Sequence, residues 1–581
     1  MSPLMDMAAL GELIEVARGR KVAQLCLRNV RIVNVCTGAL QPGHLAVHGG
    51  RIAGWGDYRG RCEMDLHGAF VAPGFIDGHL HLESTLLSPT EFAKAVLPHG
   101  TTAVVLDPHE IANVLGLPGI LALIQASEGL PLDFFFMLPS CVPASPMDPA
   151  GAVLRGADLH TLRSHPRVLG LAEMMNFPGV LDADPAVLEK IVLFQDTIRD
   201  GHCPKVTGED LNAYLACGIS SDHETTTLDE ALEKLAKGMT LMIREGSQSK
   251  DMATLLGAVT DATWPRCLFV SDDRHPTDLL REGHMDSVVN RATALGMDPV
   301  RAVALASWTA AQAFGLRGRG AVAPGYAADF SVSPTLTPWK PSLVFKDGRC
   351  VVQDGALCRP EDWPRDTIME SLPSPMAVSR VDPEDLRVPA RGRLLRVIGV
   401  REGSVITDHL VLPATIRDDA AVCDVDRDLL KIVVFNRYDS GKDAGRPAVG
   451  FVRGFGLREG ALASTVAHDS HHLIAVGADD DAITSAVRAV IESRGGMSVA
   501  SSQGLMAHMP LPVAGLMSLK PLKEVCRALE DVNEAARALG SSLKHPFMAL
   551  SFLALPVIPA LKMTSRGLVD VERFEAVPLF A

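Results

Sequence analysis

In the stretch GFIDGHLHLES, which begins at Gly74, His79 and His81 stand two residues apart. Side chains alternate across a strand, so both imidazoles project from one face while Leu80 points to the other. Two neutral imidazoles converging at a strand end form half of a transition-metal site. An isolated H-x-H is most simply a pair of hydrogen-bonded structural histidines, so the rest of the chain has to decide. Glu173 in LAEMM, His202 in DGHCP, His223 in SDHETTT and Asp272 in SDDRHP each stand at the end of a strand-like run, and each is a ligand type. A carboxylate can bridge two cations and offset their repulsion, while four imidazoles and a terminal Asp share out the remaining positions. Six such residues in register point to a centre of two divalent metal ions, whose chemistry is the activation of water.

Such residues have to be held by a scaffold with repeating strand ends. Eight apolar runs, ending at His81, Asp107, Leu138, Glu173, His202, His223, Glu245 and Asp273, alternate with helical segments. The fifth, DTIRDGH, is the weakest because its interior is polar. Eight strand-helix repeats over about 250 residues predict an α/β fold, a (β/α)8 TIM barrel whose site lies at the C-terminal ends of the strands. Short β-like stretches with turn residues occupy 21–72 and return at 318–357, so the barrel, 73–317, reads as an insertion into a small β-sandwich. An N-terminal helix over 1–20 precedes it. A Pro-, Asp- and Glu-rich linker, 358–387, leads to a C-terminal α+β domain, 388–581.

Composition limits the partners. The chain has 581 residues, too many for one core, with a formal charge of −14 that disfavours an extended phosphate-backbone interface. We therefore expect no nucleic-acid partner. Eleven cysteines are scattered singly without a C-x-x-C pair, which suits free thiols in a reducing cytoplasm. The first residues lack the basic start and apolar block of a signal peptide, and FMALSFLALPVIPAL, broken by two prolines, is too short to span a membrane. A homo-oligomer, a dimer in the simplest case, is expected.

These features resemble the amidohydrolase superfamily, where an H-x-H, an acidic group on the fourth strand, histidines on the fifth and sixth and an Asp on the eighth hold one or two metals. Within it, VAPGFIDGHLHLES, LDPHEIANVLG, LAEMMNFPGV, MIREGS, EGHMDSVVNRA and, near the C-terminus, GFGLREGALASTVAHDSHHLIAVG and LPVAGLMS resemble the adenine deaminase family. Lys205 and Val206, after DGHCP, depart from that pattern without removing a ligand. Relatives that place a modified lysine on the fourth strand are a poorer match, since Glu173 stands there. The resemblance implies hydrolysis of adenine to hypoxanthine and ammonia in purine salvage, with iron(II) or manganese(II); imidazole and carboxylate would also accept zinc(II). Another aminated heterocycle or a cyclic amide is the alternative substrate, and a non-catalytic metal protein the rival from another class.

For that reaction Asp272 is the candidate to accept a proton from water and pass it to the departing amine. Glu110 in DPHE and Glu224 beside His223 compete to protonate the ring or bind the purine edge. His109 touches the substrate or orients Glu110, and Glu83 is a weaker substrate-binding candidate. Each of these carboxylates reads equally well as an ordinary loop or helix-start charge. Asp107 is expected to fix the DPHE turn. Strand alternation predicts that Asp273 points away from the interior if Asp272 points into it. The cluster His468, Asp469, His471 and His472 is read as satisfied loop polarity that helps cover the mouth of the barrel, not as another metal site.

Overall fold

The computed structural model describes residues 5–439 and 446–581. The first four residues of the expected 1–20 helix, and 440–445 of the expected C-terminal domain, lie outside the described residues. The N-terminal helix runs Met7–Ala17, with Asp6 accepting from the Ala9 amide as its cap.

All eight expected strands form. The first five, Phe75–Leu80, Thr101–Leu106, Asp133–Leu138, Val168–Met174 and Ile198–Gly201, pair in sequence order as one parallel sheet. Ser221–Asp222, Thr240–Arg244 and Cys267–Val270 make a second parallel sheet. The two meet at both ends. The Ser220 amide donates to the Arg199 carbonyl at 3.0 Å, and Leu80 forms a parallel bridge with Asp272. The parallel sheet is thus curled until its eighth strand lies against its first.

Runs such as TTAVVL and CLFV are buried throughout because both faces are covered, as parallel sheets require. Alternate residues, among them Ile76, Ala103, Val105, Phe135, Met137, Met242, Leu268 and Val270, share one interior core. Helices including Pro89–Val96, Leu117–Ala126, Pro185–Leu193, Leu228–Ala236 and Met285–Ala294 lie between or after the strands.

The flanking β segments come together around one core. Their hydrogen bonds make one nine-stranded sheet, folded so that residues from both segments, such as Ile32, Val71, Phe330 and Phe345, bury into one core. The fold is possible because Ala23–Asn34 is long: its first half pairs with Gly60–Asp65 and its second with Phe70–Pro73, with a register shift between Leu27 and Val30. Phe70–Pro73 then pairs antiparallel with Phe330–Ser333 across the inserted segment. At the N-terminal end of the third parallel strand, Asp133 meets Arg319 at 2.5 Å and Lys346 at 2.9 Å, a buried charge cluster that fastens this sheet beneath the parallel one.

The segment expected to be a free linker is packed: Val378, Val381 and Leu386 are buried against helix Asp480–Glu492. Beyond it an eight-stranded, mostly antiparallel sheet carries that helix and Leu522–Ala538. Leu394–Gly399, Asp408–Pro413 and Leu430–Phe435 are strands of this sheet, as their patterns predict.

Candidate active site

The first parallel strand aims its histidines through an irregularity. Its pairing with the next strand shifts register between Asp77 and Leu80, so the inward face changes from Ile76 below the shift to His79 and His81 above it. Gly78 sits at the shift because a Cβ there would lie 2.5 Å from Leu268 Cδ1, on the strand that must close against this one. Leu80 is buried on the opposite side, in the outer core.

The six expected ligands converge. Glu173 lies at the centre: Oε1 is 3.3 Å from His81 Nε2 and 3.8 Å from His79 Nε2, while Oε2 is 2.6 Å from His202 Nδ1 and 3.2 Å from His223 Nε2. One oxygen thus serves each histidine pair, the arrangement a bridging carboxylate needs. Asp272 Oδ1 lies 3.1 Å from His81 Nε2 and 3.4 Å from His79 Nε2. His79, His81 and Asp272 bring one ligand atom each within 4.8 Å of one another, as do His79, Glu173 and His223.

The donor set fits divalent cations. His81 Nδ1 meets the Asp107 carbonyl oxygen at 3.1 Å, an acceptor only, so Nδ1 carries the proton and Nε2 presents a lone pair inward. Nε2 of His79 is buried without any hydrogen-bond partner, a costly state for a nitrogen with no cation to bind. Burial pushes the Glu173 and Asp272 carboxyls up, but surrounding imidazoles outweigh it and hold both well below the usual carboxylate range. Burial likewise opposes charge on His223, yet Glu173 lifts its imidazole to about 10. The carboxylates thus favour a proton on His223, one that a bound cation would displace.

The other expected residues are placed as follows. His109 Nδ1 is 3.1 Å from Asp107 Oδ2 and 3.5 Å from Glu173 Oε1, so Asp107 orients it beside Glu173. Glu83 Oε1 accepts from the Ile111 amide at 2.9 Å, pinning the helix His109–Leu115, while Oε2 is buried without a hydrogen-bond partner among the described residues; burial pushes the carboxyl up to about 7. Glu224 is gripped through both oxygens by Arg244, which also lies 3.1 Å from Asp272 Oδ2. Glu110 is 2% exposed and receives His468 Nδ1 on one oxygen and His471 Nε2 on the other.

Asp273 is placed by a loop and not by the strand. The strand ends at Val270 and Asp272 adopts φ +55°, so alternation no longer applies; Asp273 Oδ1 accepts from Ser84 Oγ at 2.5 Å. With Ser84, His275, His468 and Phe547 it lines a cavity of about 200 Å³ between the parallel sheet's loops and the C-terminal region.

Three contributors escaped the sequence reading. Arg244 steadies Asp272 and Glu224 from the seventh strand. Asp200 stands behind His79, its Oδ2 3.7 Å from Nδ1, where it favours a proton on that nitrogen and leaves Nε2 for metal. Lys234, 1% exposed, binds the Cys203 carbonyl and Asp222, the neighbours of His202 and His223. The MIREGS motif contains the first, but nothing in spacing reveals what it touches.

An adenine deaminase of Syntrophobacter fumaroxidans is 56% identical over 575 residues, covering 99% of either chain. The chain belongs to the adenine deaminase family. Adenine deaminases of Dehalococcoides mccartyi and Carboxydothermus hydrogenoformans are 46% and 44% identical over 571 and 574 residues, covering 98% and 99% of this chain and nearly all of theirs. Residues 70–355 match the amidohydrolase family, and 404–575 the adenine deaminase C-terminal domain. Among the described residues no helix is long and apolar enough to cross a membrane.

Proposed function

We propose that this chain hydrolyses adenine to hypoxanthine and ammonia, a step of purine salvage, using two divalent cations held by His79, His81, Glu173, His202, His223 and Asp272. The observation that carries the reading is Glu173, whose two oxygens each face a different histidine pair. The curled sheets constitute a (β/α)8 barrel, 73–317, inserted into the folded sheet of 21–72 and 318–357, with the C-terminal domain over 388–581. Iron(II) or manganese(II) is the metal we assign, ahead of zinc(II). The unpaired cysteines support action in a reducing cytoplasm.

When bound, the cations acidify water and neutralise developing charge. Asp272 presents Oδ1 towards the histidines while Arg244 occupies the side of Oδ2, so one oxygen is placed to take a proton from the attacking water and return it to the leaving amine. Glu224, locked by Arg244, steadies that arrangement. Glu110, ionised and oriented, is the carboxylate we assign to a purine N–H, and His109 separates it from the bridge.

The test is ammonia release from protein reconstituted with manganese(II) or iron(II). Adenine should be turned over in preference to other aminated heterocycles, and lactams should not react. Hydrolysis of a cyclic amide with no ammonia from adenine would overturn the assignment.

A further inference from the structure

The turn 468–472 of the C-terminal domain reaches into the candidate site from far along the chain. Glu110 Oε1 meets His468 Nδ1 and Oε2 meets His471 Nε2, and all three side chains are buried. Among the described residues no lysine or arginine is paired with this carboxylate, so its burial as an anion rests on imidazoles: the neighbouring His109, 3.5 Å away, and His468 and His471 from another part of the fold.

The turn is itself held rigidly. The Arg437 guanidinium, fully buried, donates through Nε to the His471 carbonyl at 2.6 Å and through Nη2 to the Ala514 carbonyl at 2.9 Å. Tyr438 Oη donates to the Ser470 carbonyl at 2.6 Å. The His468 ring stacks on Phe552 with centroids 4.7 Å apart, and His472 Nε2 reaches the Pro149 carbonyl at 2.8 Å, after the third parallel strand.

Glu110, His468 and His471 are close enough to hold a cation of their own. The tautomer of His471 argues against it. The Ala467 amide donates to His471 Nδ1 at 3.2 Å, so the ring's proton sits on Nε2, the nitrogen facing Glu110. A metal there would have to remove the ring's only proton. His471 is therefore a neutral donor, and burial pulls its imidazole down to about 4 despite the carboxylate beside it.

Accepting adenine deamination as the reaction, we propose that His468 and His471 are positioning residues of the active site: they fix both oxygens of Glu110 and so aim it at the purine, making the C-terminal domain part of the catalytic apparatus. A contact that served only to dock two domains would not need to bury an ionised group next to the residues that contact Glu173.

The test compares His471→Ala, His471→Gln, His468→Ala and His468→Asn in the full-length, metal-loaded protein. The alanine variants should lose about 10- to 100-fold in kcat, the range typical of lost supporting partners, with KM within about threefold and metal content unchanged. Gln and Asn, which keep an N–H donor, should recover most of the loss. Alanine variants within twofold of wild-type kcat, or Gln and Asn variants no better than alanine at an unchanged melting midpoint, would overturn the proposal. Nitrogen-15 shifts of labelled histidines test the clamp without turnover. His471 should report the Nε2–H tautomer and change in Glu110→Gln; an Nδ1–H or charged ring overturns it. Absence of adenine turnover by the wild type would instead defeat the functional reading, leaving the tautomer result to judge the clamp.

Discussion

Replacing Lys234 by Met keeps the side-chain volume and removes one buried charge beneath His202 and His223. Its Nζ lies 3.0 Å from Asp222 Oδ2, 2.6 Å from Glu230 Oε1 and 2.8 Å from the Cys203 carbonyl. Asp222 Oδ1 in turn accepts from the Cys203 amide at 2.7 Å, so the pair ties the ends of the fifth and sixth strands together. Burial alone would raise the Asp222 carboxyl, but Lys234 and then His223 hold it well below the usual range. Breaking such a pair from one side costs about 3–5 kcal/mol, because an uncompensated charge remains inside. Spread over a unit of roughly 250 residues, each kcal/mol moves the thermal midpoint by about 2 °C, so a fall of roughly 6–10 °C is expected near neutral pH. The sign with pH follows from the lowered carboxyl. Its stabilisation is complete above the unfolded value and fades as pH falls through the folded one, so the gap between wild type and variant narrows on acidification. Thermal melts at pH 7.5 and 3.0, the second below the usual carboxyl value, check this, with metal per chain counted at pH 7.5. Adding Asp222→Asn should recover part of the loss. A shift below 2 °C at pH 7.5, with full metal occupancy, would refute the reasoning.

Two further substitutions probe the centre itself. Glu173→Gln should lower the bound metal from two per chain towards one, since an amide cannot bridge two cations as a carboxylate does; elemental analysis reads the stoichiometry, and an unchanged ratio places the bridge elsewhere. Asp272→Asn should reduce kcat by about 10² to 10⁴-fold with little change in adenine affinity, the range for a lost proton-transfer group. Asp273→Asn, which disturbs only the Ser84 contact at the cavity wall, should act mainly on KM. Steady-state kinetics on both separate the roles, and a larger kcat loss in Asp273→Asn would reverse them.

The eight strands were legible because their apolar runs are short, β-rich and punctuated by turn residues, and even the polar fifth, IRDG, forms where expected. The six residues expected to hold metal were legible as a converging set because each stands at or just past the end of a parallel strand. The direction of Asp273 could not be derived from alternation, which holds only while the strand lasts: the strand ends at Val270 and Asp272 adopts φ +55°. The linkage within the flanking β unit was not legible: a single bulged strand, Ala23–Asn34, serves two partners on one side and joins the segments into one hydrogen-bonded sheet. Arg244, Asp200 and Lys234 stayed hidden because buried charge partners are set by packing between strands, which periodicity does not encode. His468 and His471 were visible as a cluster, but their partner Glu110 lies more than 350 residues earlier.

The splice between sheet and insertion bears on how the molecule is made. Phe70–Pro73, buried in the finished fold, has its antiparallel partner Phe330–Ser333 about 260 residues downstream. At roughly 5–20 residues per second, the ribosome needs some 13 to 50 s to deliver that partner. Throughout that interval one edge of the strand offers unpaired amide and carbonyl groups to any other chain nearby. The nascent chain is therefore most exposed to cross-pairing with its own siblings on a crowded polysome, and slowing translation between residues 73 and 333 should lower soluble yield.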